Sequence, residues 1–161
     1  MGMAVSKTKT NAMRLLDSIK ADYSMLSYEI SDGKVDGVSV AEKIGKPKEA
    51  VFKTLVTQGT SRNIYVFVIP VEEELDLKKA AKAAGEKKVE MIPVKDIQKL
   101  TGYIRGGCSP IGMKKLYPTF IDSSAEQIDK MIVSGGKIGI QIELSPAVLK
   151  EAVKAKTVQL S

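Results

Sequence analysis

The sequence predicts an α+β fold: a single domain in which a mixed, largely antiparallel, barrel-like sheet is flanked by helices. Two observations carry this expectation. Helical and β-rich segments are intermixed without the regular strand–helix–strand alternation of a doubly wound sheet. A length of 161 residues also suits one core better than two, and no linker or low-complexity stretch divides it.

The elements follow in order. Thr10 can cap a helix whose apolar positions Met13, Leu16 and Ile19 keep helical spacing. Tyr23 to Ile30 reads as a strand with mixed faces, ended by the turn-forming SDGKVDG. Ser39 with Glu42 three residues later has the form of a capping box for a short helix stopped at Gly45 and Pro47. Val51 to Thr57 and Ile64 to Val71 are β-rich runs joined by QGTSRN, a hairpin. Asp76 begins an alanine-rich helix that stops at Gly85. KKVEMI reads as a strand, and PVKDIQKLTG as a helix opening on Pro93 and closing near Gly102. PTFID is a short strand. KMIVSGGKIGIQIEL reads as two strands meeting at Ser134, Gly135 and Gly136, and Ser145-Pro146 starts a final helix.

Composition narrows the chemistry. The chain has no histidine and one cysteine, Cys108, which excludes Ser-His-Asp and Cys-His catalysis and histidine- or thiolate-rich metal sites. A lone cysteine forms no internal disulfide and suits a reducing, cytoplasmic compartment. No run of about 18 apolar residues is present, so no membrane span is expected. The opening MGMAVS lacks the character of a secretory signal, and its formal match to a myristoylation pattern reads as chance. Net charge is +6, with lysines grouped at Lys43, Lys46 and Lys48, at Lys78, Lys79 and Lys82, at Lys87 and Lys88, and at Lys114 and Lys115. Such groups suit either a polyanionic partner or ordinary solvated faces. With no Trp and three Phe, a base-stacking platform is not expected.

Three places draw attention. Strand alternation puts Lys53 on one face with Val51 and Leu55. A lysine there binds a phosphate or polarises a carbonyl, or else guards a sheet edge or snorkels to water. GYIRGGCSPIGMKK, from Gly102 to Lys115, is too rich in Gly and Pro for a helix and reads as too flexible to pack. It has neither P-loop nor dinucleotide-fold spacing. Its Gly106 and Gly107 either let backbone approach a ligand or form a bulge between strands. Cys108 has no histidine to activate it and reads as a small buried hydrophobe. VSGGK, with Ser134, reads alone as a hairpin turn.

Taken in order, VFKTLV, ELDLKKAAKAAGEKKVEMI, TGYIRGGCSPIGMKK, PTFID and VSGGKIGIQIELSP resemble the YbaK/EbsC family over about residues 12 to 154. These are free-standing relatives of the editing domain inserted in bacterial-type prolyl-tRNA synthetases. The resemblance implies trans-editing of mischarged aminoacyl-tRNA, most characteristically Cys-tRNA(Pro), without metal or cofactor. It implies a catalytic role for Lys53, and contacts to the 3′ aminoacyl end from Tyr28, Gly106, Gly107, Ser109, Ser134 and Gly135. In Cys-specific members the substrate's own thiol attacks its ester carbonyl, and prolyl-tRNA synthetase is a family-level partner. This chain carries Cys108 where relatives usually have an aliphatic residue, Met113 where many have Gln, and Gln141 where some have Asp. An alanine-clearing branch, a noncatalytic aminoacyl-tRNA- or synthetase-binding module, and an esterase for a small acylated metabolite are the alternative readings.

Overall fold

A computed structural model describes residues 9–161. The MGMAVS pattern lies outside the described residues. Five α-helices and eight strands are present among them: α1 Asn11–Ser18, β1 Tyr23–Ser27, α2 Gly37–Ile44, β2 Phe52–Gly59, β3 Ile64–Pro70, α3 Leu77–Ala84, β4 Val89–Met91, α4 Val94–Thr101, β5 Thr119–Asp122, β6 Met131–Lys137, β7 Ile140–Leu144, α5 Pro146–Val153 and β8 Lys156–Val158. No described helix is long and apolar enough to cross a membrane.

The strands form two sheets rather than one. A three-stranded antiparallel sheet has the order β1-β7-β6, and a five-stranded mixed sheet the order β4-β2-β3-β5-β8. In the larger sheet β4, β2 and β3 pair antiparallel, while β5 runs parallel to both β3 and β8. A single parallel bridge between Val51 and Ile132 joins the sheets. The main core, with Met13, Leu16, Phe52, Val68, Ile121, Val133 and Ile142, fills the space between them under α1 and α5. A second cluster lies on the other face of the larger sheet, where Phe67, Ile69 and Phe120 pack beneath Ala80 and Ala81 of α3.

Local chemistry starts the helices much as the sequence predicts. The Thr10 hydroxyl accepts from the Met13 amide at 3.2 Å, the Asp76 carboxylate from Lys78 and Lys79, and the Ser145 hydroxyl from Val148. The exception is α2. Its cap is Asp36, which accepts from both the amide and the hydroxyl of Ser39, so Ser39 sits inside the first turn. Aspartate takes the cap because its carboxylate reaches two donors where the serine hydroxyl would satisfy one.

The glycine pair of VSGGK is likewise not the hairpin turn. β6 continues through Gly135 and Gly136 to Lys137, and the chain reverses at Ile138 and Gly139. Register shifts here: Ser134 pairs with Gln141, and Lys137 with the adjacent Ile140. The extra residues form a bulge that Gly136 accommodates with a φ of +99°. β8 has no counterpart in the sequence reading; its three residues extend the larger sheet beyond β5, and Leu160 after it is fully buried.

Candidate functional site

The bridge between Val51 and Ile132 sets the start of β2 against the middle of β6. The consequence is a cavity of about 130 Å³ at the junction of the two sheets. β2 contributes Phe52, Lys53 and Thr54; β6 and β7 contribute the registered pair Ser134 and Gln141. Val35, Gly37 and Val40, at and before the start of α2, form another wall with Val71, and Gly106 and Cys108 of the Gly/Pro loop close it. The volume equals about four waters, the scale of a small side chain.

Lys53 stands where strand alternation predicts. It pairs with Ile69 across β3, on the face that also carries Leu55 and Phe67. Ile69 and Phe67 are fully buried, whereas Lys53 is half-buried and lines the cavity. It has no ion-pair partner among the described residues. Beside it the Thr54 hydroxyl is buried without a hydrogen-bond partner, which leaves a polar group for a ligand to satisfy. Gln141 is 6% exposed, and the Ser134 hydroxyl accepts from the Gly136 amide at 3.3 Å.

The Gly/Pro loop is a packed structure, contrary to its composition. The Tyr103 hydroxyl donates to the Ile111 carbonyl at 2.7 Å, the Ile111 amide to the Ser109 hydroxyl at 3.2 Å, and the Gly107 amide to the Ile104 carbonyl at 3.0 Å. Ser109 and Ile111 are fully buried. Glycine and proline here set turns that internal hydrogen bonds then lock. Gly107 shows the tightness of the fit: a Cβ there would lie 2.9 Å from the Ile138 nitrogen and 3.0 Å from the Lys137 carbonyl carbon.

The sequence-derived residues thus separate. Lys53, Gly106 and Ser134 meet at the cavity. Gly107, one residue from Gly106, is spent on close contact with the β6–β7 turn. Ser109 does not line the cavity, because its hydroxyl holds the loop's own backbone. Gly135 packs against Ile140, and its carbonyl accepts from the Thr10 hydroxyl. Tyr28 follows β1; its amide donates to the Gly139 carbonyl at 3.0 Å, its hydroxyl is buried without a partner, and Lys43 lies 5.8 Å from its ring centre. It does not line the cavity.

Val35, Thr54 and Arg105 went unrecognised as site candidates in the sequence, where Gln141 stood out only as a departure from the family pattern. Arg105 shares with Lys53, Asp36, Val71 and Gly106 the lining of a wider cavity of about 550 Å³. Val35, Gly37, Lys53, Val71 and Gly106 border both cavities. Several clustered lysines have internal work instead. Lys43 donates to Asp32 and to the carbonyls of Glu29 and Lys34, Lys46 pairs with Glu143, and Lys79 donates to the Ser161 carbonyl.

Electrostatics fixes the state of the one thiol. Burial pushes Cys108 up to about 11, opposed by its hydrogen bond to the Thr101 hydroxyl. At neutral pH it is a neutral thiol, inert as a nucleophile. The Asp36 carboxyl is held below its ordinary range by the hydroxyl and then the amide of Ser39. Asp36 therefore remains an anion, engaged at the start of α2.

Comparison with known proteins gives this geometry its context. The aminoacyl-tRNA editing domain family matches residues 35–152. Over 146 residues the chain is 53% identical to the Enterococcus faecalis protein called "Putative Cys-tRNA(Pro)/Cys-tRNA(Cys) deacylase EbsC", with 89% of each chain covered. Among solved structures, the hypothetical protein APE2540 superposes with a TM-score of 0.85 at 21% identity, covering 94% of this chain and 99% of the other. A second, described as a "putative trans-editing enzyme for prolyl tRNA synthetase", superposes with a TM-score of 0.80 at 21% identity, covering 94% and 96%. These two show the shared fold. With nearly three-quarters of its length matched, this chain belongs to the aminoacyl-tRNA editing domain family.

Proposed function

We propose that the protein is a trans-acting deacylase that clears mischarged tRNA, with Cys-tRNA(Pro) as its main substrate. The observation that carries this reading is the pairing of a small cavity with a wider one, with Lys53 and Gly106 bordering both. The small cavity suits an aminoacyl side chain, and the wider one the terminal nucleoside. The ester linking the two then falls beside Lys53. The similarity to a relative whose name specifies Cys-tRNA(Pro) supports the choice of cysteine.

The site offers no activated side-chain nucleophile. There is no histidine in the chain, and the Cys108 thiol stays protonated. A substrate that brings its own nucleophile resolves this. The cysteinyl sulfur attacks the ester carbonyl and forms a new S–C bond. The ester C–O bond breaks, and the thiol proton passes to the departing ribose oxygen. The resulting four-membered thiolactone hydrolyses in water. In this scheme Lys53 orients the carbonyl and favours negative charge developing on its oxygen, while the apolar walls hold the thiol close and exclude competing water. Docking on prolyl-tRNA synthetase, which would supply the choice of tRNA, belongs to the same proposal.

The test is deacylation of Cys-tRNA(Pro) and Ala-tRNA(Pro) side by side, following release of labelled amino acid. Rapid loss of cysteine alone is expected. Equal loss of both would refute thiol assistance and point to water as the nucleophile; loss of neither would replace the enzyme with a binding module.

A further inference from the structure

The wider cavity carries an arginine that the deacylation scheme does not use. Arg105 lies within the Gly/Pro loop, immediately before Gly106, and is exposed. It lines the wider cavity together with Lys53 but does not border the inner one. Neither cation has an ion-pair partner among the described residues, although Asp36 lies in the same lining. The Asp36 carboxylate is occupied by two hydrogen bonds from Ser39 at the start of α2. The cavity thus presents two unpaired cations and one anion already neutralised in part by a helix terminus.

The order of groups in the substrate matches this order in the site. An aminoacyl-tRNA end runs from amino acid to ester, to the terminal ribose and base, and then to the first phosphodiester. The inner cavity, Lys53 and the wider cavity follow the same sequence, and Arg105 is the cation found only at the outer part. We infer that Arg105 binds the first internucleotide phosphate of the substrate's 3′ end and fixes how deeply the terminal nucleoside enters. This rests on the deacylase reading and extends it to a group that reading leaves unassigned. A planar guanidinium gives two parallel donors to a phosphate, a geometry a lysine does not reproduce. The rigid loop supports the role, because the backbone that presents Arg105 is tied down by the Gly107–Ile104 and Tyr103–Ile111 hydrogen bonds.

The experiment removes the phosphate from the substrate as well as the arginine from the protein. Wild type, Arg105→Gln and Arg105→Lys are each assayed on 3′-cysteinyl-adenosine, which has no phosphodiester, and on the cysteinyl dinucleotide CpA, which has one. The inference expects Arg105→Gln to raise KM on the dinucleotide about tenfold, the effect of one charge-assisted hydrogen bond, with kcat unchanged. The same variant should match wild type on the adenosine ester, and Arg105→Lys should recover part of the loss. Equal loss on both substrates would place the arginine's action at the ester or in the fold and overturn the inference. So would no loss on either. If wild-type protein turned over neither substrate nor whole Cys-tRNA, the deacylase reading would fall and the phosphate contact with it. Turnover by wild type with no difference between substrates would overturn the phosphate contact alone.

Discussion

Replacing Gly107 by alanine tests the link between the Gly/Pro loop and the small cavity. Gly107 does not occupy the left-handed region, so alanine is allowed there by its own backbone. The difficulty is entirely one of space. The new methyl would meet the Ile138 nitrogen at 2.9 Å, the Lys137 carbonyl carbon at 3.0 Å and the Lys137 Cα at 3.1 Å. All three are backbone atoms at the end of β6, so no rotamer change relieves the contact. Ordinary separation requires the loop and the β6–β7 turn to part by roughly half an ångström, and overpacking of this kind costs about 1–3 kcal/mol. For a domain of this size each 1 kcal/mol moves Tm by roughly 2–4 °C, so a fall of about 2–12 °C is expected. Gly106 and Cys108 flank Gly107 and line the cavity, so deacylation should fall too. Thermal unfolding by circular dichroism and single-turnover deacylation below the transition measure the two effects. A variant with unchanged Tm and unchanged rate would refute the close approach. For comparison, a Cβ on Gly85 meets nothing within 4 Å, although its φ is +73°. Gly85→Ala should therefore lose about 1 kcal/mol from backbone strain and keep its activity.

Further expectations concern the loop. Ser109→Ala leaves the buried Ile111 amide without its acceptor and should lower stability by about 1–3 kcal/mol in denaturant titration. Its KM for Cys-tRNA should stay at the wild-type value; a large rise would return Ser109 to the substrate site. Cys108→Ala should retain deacylation, and the native thiol should react with iodoacetamide at pH 7.5 far more slowly than free cysteine, because burial holds it up to about 11. The accompanying pH effect has a definite sign. The folded thiol titrates above its ordinary value near 9, so its contribution to stability is complete below that value and is lost as pH rises through about 11. Stability differences between wild type and Cys108→Ala should accordingly change across that alkaline window and stay flat between pH 6 and 8.

Much of the architecture was legible because it is encoded locally. Thr10, Asp76 and Ser145 are caps that each act on amides two or three residues away. The β2–β3 hairpin and the alternation that puts Lys53 on one face with Leu55 are likewise short-range patterns. The misreadings came from competition between neighbours and from distant contacts. Ser39 has the form of a cap, but Asp36 precedes it with a better acceptor. Gly135 and Gly136 have the form of a turn, but β7 pairs on past them to Lys137 and converts them to a bulge.

The site was harder to read for the same reason. Lys53 is unusual within its own strand, whereas Gln141, Val35 and Thr54 acquire meaning only when the Val51–Ile132 bridge brings two sheets together. Gly106 and Gly107 look equivalent in sequence. Only the position of the β6–β7 turn separates the one that borders the cavity from the one that packs against the turn.

The most direct test of the central claim compares wild type with Lys53→Ala in single-turnover deacylation of Cys-tRNA(Pro). Lys53 is half-buried and without an ion pair among the described residues, so removing its amine should leave Tm nearly unchanged. With Lys53 at the reacting carbonyl as proposed, loss of its charge should slow ester cleavage by about 10²–10³-fold. An unchanged melting curve with that loss of rate is the expected result. A Lys53→Ala protein that clears cysteine as fast as wild type would contradict the account, because the cation bordering both cavities would then have no part in the reaction.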